Sequence, residues 1–158
     1  MGKFNFAKLV GALVLTVGLG GVSGLFTIKQ IGSWYAVLNK PSFNPPNYIF
    51  GPVWSVLYIF MGISLYLVWN EPESPKRDSA IRLFIIQFIL NISWSFIFFH
   101  EHEIFLAFID ILLMWIFLFF TIIPFFKIKS LAGWLLIPYI CWVSYAIVLN
   151  FAIYNFNR

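Results

Sequence analysis

The chain has 158 residues, enough for one domain, of which 61% are apolar, 22% aromatic and only 10% charged. A soluble domain carries about 25% charged residues, so a chain this short could not cover its apolar surface in water. The same composition excludes a disordered chain, a collagen and a disulfide scaffold, and the single Cys141 has no partner for an internal bridge.

A hydrocarbon core about 30 Å thick needs roughly 20 apolar residues per spanning helix. Five stretches meet that length, at about residues 9–26, 48–69, 83–99, 104–126 and 131–154. They predict an all-α integral membrane protein, a single domain over residues 1–158 built as a five-helix transmembrane bundle. Continuous apolar runs exclude the alternating ten-residue strands of a β-barrel. The first run follows Lys3 and Lys8. It reads as a span rather than a cleaved leader because it has transmembrane length. Gly20-x-x-x-Gly24 within it lets a second helix come close, from the same chain or from another copy.

Residues 27–47 form a long first loop holding Trp34, Tyr35, Pro41, Phe43, Pro45 and Pro46. Two readings fit: a lid over the bundle mouth, with Trp34, Pro41, Pro45 and Pro46 stiffening and anchoring it, or an interfacial segment with aromatics at headgroup level. The second loop, Asn70–Ser79, reads as a solvated linker. His100-Glu101-His102-Glu103 lies in the third connection. A solvated turn fits it better than a metal site, because the spacing is not that of a zinc motif.

With five spans, Lys3, Lys8, Lys76, Arg77, Arg82, Lys127 and Lys129 fall on one side, and Lys29, Lys40 and Arg158 on the other. This asymmetry places the N-terminus inside and the C-terminus outside. The basic residues are scattered between apolar runs, which argues against a nucleic-acid partner.

Polar residues inside spans call for partners or a function. Asp110 is the only acid in a span; it either bonds a neighbouring helix or serves a site. Three spans carry polar–aromatic stripes at helical spacing: Trp54, Tyr58, Met61 and Leu65; Gln87, Asn91, Trp94 and Phe98; Tyr139, Trp142, Ala146 and Asn150. Such stripes face inward. They are either interhelical glue or the walls of a pocket for a flat, mostly apolar ligand, with the Asn91 amide and Trp94 indole offered to its polar edge. Cys141 has no basic neighbour in sequence to activate it, and Pro52 and Pro138 each remove a backbone donor and bend their helices. Leu149, Tyr154 and Arg158 fit the loose sterol-binding pattern.

Two sets of residues form longer motifs. Trp34-Tyr35-x-x-Leu38-x-Lys40-Pro41-Ser42-Phe43-x-Pro45-Pro46 leads into Phe50-Gly51-Pro52-Val53-Trp54-x-x-Leu57-Tyr58-x-x-Met61-Gly62. Gln87-x-x-Leu90-Asn91-x-x-Trp94-Ser95, Asp110 and Pro138-Tyr139-x-x-Trp142-x-x-Tyr145-Ala146-x-x-Leu149-Asn150 follow in order. Over essentially the whole chain this resembles the TspO/MBR family, that of the translocator protein or peripheral-type benzodiazepine receptor. The resemblance implies a homodimeric five-helix bundle in a bacterial or outer mitochondrial membrane, and the Phe-rich composition and short tails point to a bacterial plasma membrane. It implies porphyrin, haem-like, sterol and benzodiazepine-type ligands; no resident cofactor or metal is expected. It implies a pocket at Trp54, Asn91, Trp94, Trp142 and Ala146, with Gly24, Phe50, Gly51 and Leu106 as further lining. The sterol motif departs from the family pattern, since Phe151 stands where the family has Tyr. A receptor or translocator of tetrapyrroles is the expected function. The alternative is light- and oxygen-dependent porphyrin breakdown by the tryptophans at Trp54 and Trp142, although no acid–base or nucleophilic set accompanies them.

Overall fold

The computed structural model describes residues 4–158, which contain no strand. Five helices are long and apolar enough to cross a membrane: α1 (Phe6–Ile31), α3 (Asn47–Trp69), α4 (Pro75–Phe99), α5 (Ile104–Ile128) and α6 (Ser130–Asn157). A single turn, α2 (Trp34–Val37), lies in the first loop. The chain is a multi-pass integral membrane protein.

Several helix ends run past the apolar stretches. α4 starts at Pro75, so residues 75–79 are helical rather than linker. Ser74 caps that end by accepting from the Arg77 N–H at 3.2 Å, and proline suits the first helical position, where no backbone donor is needed. α1 continues to Ile31, which shortens the first loop to residues 32–46. Pro52 and Pro138 lie within helices that continue through them, as does Pro124. Of the basic residues that set the expected orientation, Lys3 lies outside the described residues.

The spans form a ring in which α1 touches α3, α3 touches α6, α6 touches α5, α5 touches α4, and α4 returns to α1. α1 is in two parts, joined by a π-helical turn at Val14–Gly18. Its first half lies along α3, whereas its second half packs mainly on α4. Glycines set the closeness of the first contact. A Cβ on Gly62 would meet Thr16 Oγ1 at 2.5 Å, and one on Gly20 would meet the Tyr58 ring at 2.5 Å. Beyond Gly20 the helices part: nothing lies within 4 Å of such a Cβ on Gly21, Gly24 or Gly51. Gly20 therefore serves packing within one chain, while Gly24 does not. Gly20→Ala is expected to lower stability by about 1–3 kcal/mol, the usual cost of overpacking, and Gly21→Ala to leave it unchanged. Unfolding of both variants in mixed detergent–lipid micelles measures the difference.

Candidate ligand-binding site

The three polar–aromatic stripes converge on the interior because each repeats at three- and four-residue intervals. Tyr58, Met61, Leu65, Gln87, Asn91, Phe98, Tyr139 and Asn150 are buried, and Trp54, Trp94, Trp142 and Ala146 are half-buried around them. At mid-bundle the polar groups bond one another, with Gln87 Nε2 left without a partner among the described residues. The Tyr58 hydroxyl donates to Asn91 Oδ1 at 2.8 Å, Asn91 Nδ2 donates to the Tyr139 hydroxyl at 2.9 Å, and that hydroxyl donates to Gln87 Oε1 at 3.0 Å. In lipid an unpaired amide is costly, so this chain ties α3, α4 and α6 together. Nearer the lid, Trp94 Nε1 donates to Asn150 Oδ1 at 3.0 Å, and Asn150 Nδ2 donates to the Ile104 carbonyl at 3.0 Å.

Two cavities lie above this layer. The larger, of about 400 Å³, runs between α1 and α3 and is lined by Gly20, Ser23, Gly24, Thr27, Phe50, Gly51, Trp54, Tyr58 and Ser95, among others. The smaller, of about 40 Å³, lies under the lid against Tyr35, Trp94, Trp142, Ala146 and Leu149. Thr27, Phe50 and Trp54 border both. Trp54 stacks on Tyr58 with ring centroids 5.4 Å apart, and Trp142 meets Phe50 edge-on at 6.2 Å. Small-molecule sites usually enclose about 300–1,000 Å³, a range that the larger cavity alone reaches.

Trp54, Trp94, Trp142, Ala146, Gly24, Phe50 and Gly51 thus border one cavity or the other. Two expected residues do not. Asn91 touches neither cavity, since both ends of its amide are used by Tyr58 and Tyr139. Leu106 is 53% exposed and faces outward, because the inward face of α5 is Ala107, Asp110, Ile111 and Met114. The Trp94 indole is likewise committed to Asn150, so the polar contacts first assigned to Asn91 and Trp94 pass elsewhere. Hydroxyls not foreseen from the sequence line the larger cavity at Ser23, Thr27 and Ser95. A periodic signal for them exists: Ser23 and Thr27 continue the Gly20–Gly24 face, and Ser95 lies one turn beyond Asn91.

The first loop folds as a lid. Trp34 stacks on His102 at 4.2 Å and meets Phe98 edge-on at 5.4 Å. Tyr35 is buried, which pushes its phenol pKa up and keeps the proton that it donates to Asn44 Oδ1 at 2.6 Å. Lys40 Nζ donates to the carbonyls of Tyr35, Ala36 and Leu38, pinning the turn that precedes buried Pro41. Pro45 is half-buried and Pro46 caps α3. Two ties hold the lid to α6: the Tyr145 hydroxyl donates to the Phe43 carbonyl at 2.6 Å, and the Asn157 side chain bonds both backbone groups of Asn39 at 2.9 Å. Asn157→Ala, which removes the second tie, is expected to raise amide hydrogen exchange at residues 34–44 without altering exchange in α5.

Of the remaining candidates only Leu149 borders either cavity. Asp110 Oδ1 accepts from Ser93 at 2.8 Å, joining α5 to α4. Among the described residues no group of three metal-ligating side chains comes together, and the two histidines pack on aromatic rings. Cys141 is exposed on the outer face. Leu149 is buried under the lid while Tyr154 lies beside Phe105 on α5, so the sterol pattern does not form one face with Arg158.

Five spans around an aromatic interior that holds two cavities define a multi-pass membrane protein with an internal candidate site. The TspO/MBR family pattern matches residues 11–155, and the chain belongs to that family. It is 41% identical over 158 aligned residues to the tryptophan-rich protein TspO of Chlorobaculum tepidum, covering 95% of this chain and 98% of that one. It is 37% identical to the protein of the same name from Archaeoglobus fulgidus, covering 97% and 99%. It is 36% identical to the human translocator protein over 79% of this chain and 75% of that one.

Proposed function

We propose that this protein is a receptor or translocator for tetrapyrroles, porphyrin or haem-like, in a bacterial plasma membrane. One observation carries the reading: a cavity of about 400 Å³ walled by Phe50, Trp54 and Tyr58, with glycines on the opposite helix that leave room for a flat ring. A macrocycle is apolar across its face and polar at its edge, and the cavity offers aromatic walls with hydroxyls at Ser23, Thr27 and Ser95. Benzodiazepine-type synthetic ligands share that flat aromatic character. The basic asymmetry supports an N-terminus inside, which puts the lid and the C-terminus outside, and the family supports a homodimer.

Titrating protoporphyrin IX into protein held in lipid nanodiscs, with tryptophan quenching as the readout, tests binding. Saturable quenching is expected, and its absence sinks the reading. Porphyrin flux into proteoliposomes separates translocation from sensing. Breakdown of porphyrin by the pocket indoles is the second reading, favoured by the place of Trp54 on the wall of both cavities. Saturable product formation that is lost in Trp54→Phe would favour it.

A further inference from the structure

We infer that the seam between the second half of α1 and the first half of α3 is a side port through which the ligand enters from the bilayer, and that Thr27 and Ser95 are its hydrogen-bonding partners inside. The occupant's identity rests on the tetrapyrrole reading; the port itself does not.

The opening follows from the glycines. From Gly11 to Gly20, side chains of α3 fill the space beside α1: Trp69 lies against Gly11 and Tyr58 against Gly20. Past that point α1 leans onto α4, and Gly21, Gly24 and Gly51 face open space. The gap is the larger cavity, and exposed Gly21, Ile28, Tyr48, Gly51 and Ser55 form its rim. The gap runs from Ile31 and Asn47, at the ends of α1 and α3, down to Gly21 and Ser55, ten and eight residues further in, about 12–15 Å at 1.5 Å per residue. At that depth the lower part of the rim, at Gly21 and Ser55, faces acyl chains rather than water.

The route through the lid over α6 is closed. The lid is tied to α6 through Asn39–Asn157 and Phe43–Tyr145, and the space directly beneath it is about 40 Å³, too small for a macrocycle. The occupant that suits a bilayer-facing slot is a flat apolar molecule dissolved in the membrane. Inside, most polar groups are already spent: Tyr58 on Asn91, Ser55 on the Gly51 carbonyl, Trp94 on Asn150. The hydroxyls of Thr27 and Ser95 line the cavity and bond to no other group among the described residues. They are the groups left to meet a ligand's polar edge.

The test has two arms in lipid bilayers. In the first, a phospholipid carrying a diazirine in its acyl chain is photolysed with the unmodified protein and the adducts are mapped. Adducts on Ser23, Thr27 and Tyr58 are expected, with their loss in Gly24→Phe. Adducts confined to the outward residues Val22, Leu25, Val56 and Ile59 overturn the port. So does the absence of adducts on the whole seam, as when a second copy of the chain covers it. In the second arm, protoporphyrin IX association is timed by tryptophan quenching. Bridging Asn39→Cys to Asn157→Cys in a Cys141→Ser background with a short thiol crosslinker is expected to leave the rate within about twofold, and Gly24→Phe to slow it at least tenfold. The opposite pattern overturns the port. Thr27→Val with Ser95→Ala is expected to speed ligand release with association unchanged; release at the unmodified rate removes their role. If porphyrin does not bind the unmodified protein, the tetrapyrrole reading fails, and the lipid adducts alone decide the port.

Discussion

Trp54→Ala is expected to weaken porphyrin binding at least tenfold, about 1.4 kcal/mol. The indole walls both cavities and stacks on Tyr58, so its loss removes the face a macrocycle would lie against. An aromatic pair contributes about 0.5–1.5 kcal/mol beyond burial, and the lost apolar area adds to that. Trp142→Ala borders the smaller cavity alone and should cost less. Quenching titrations on variants whose circular dichroism is unchanged rank the two. Equal affinity in folded Trp54→Ala places the ligand elsewhere, and a larger loss in Trp142→Ala places it under the lid.

Asn91→Ala acts on stability instead. Two interhelical hydrogen bonds disappear, leaving the Tyr58 and Tyr139 hydroxyls short of partners in a layer sealed from water. Each such bond contributes about 1–2 kcal/mol in lipid, so a loss of about 2–4 kcal/mol is expected in mixed-micelle unfolding. Porphyrin affinity of the folded protein should change less than about threefold, since Asn91 borders neither of the two cavities. Adding Tyr139→Phe to Asn91→Ala should cost less than the sum of the single changes, because both remove the same bond. Full additivity would show that the hydrogen-bonded layer contributes little.

The span count was legible because lipid demands long apolar runs, and the inward faces of α3, α4 and α6 because their polar residues repeat every three or four positions. α5 shows where that reading fails. It is apolar all round, so hydrophobicity carries no phase, and Leu106 was assigned to the pocket although it faces outward. The small and polar residues Ala107 and Asp110 mark its true inner face. Helix ends were missed for a related reason: the first turn of α4 projects beyond the apolar run and is set by Ser74 and Pro75, local capping signals that hydropathy does not register. The ties of Asn157 to Asn39 join residues 118 apart and leave no local trace. The split of the interior into two cavities depends on how far α1 leans from α3, and no motif encodes that angle.

The π-helical turn at Val14–Gly18 sets the phase between the two halves of α1, and with it the shape of this interior. A π turn holds one more residue than the α-helical turn it replaces, so a chain one residue shorter here would wind as uninterrupted α-helix. The downstream half would then keep its present phase, whereas winding all of the present residues as α-helix would rotate it by about 100° relative to everything upstream. With Gly11 still against Trp69, Gly20 would no longer meet Tyr58, and the Gly24–Thr27 face would swing off the cavity. Among relatives of this chain, a single-residue gap within these five positions should therefore go with an uninterrupted α-helix there and leave the shape of the interior unchanged.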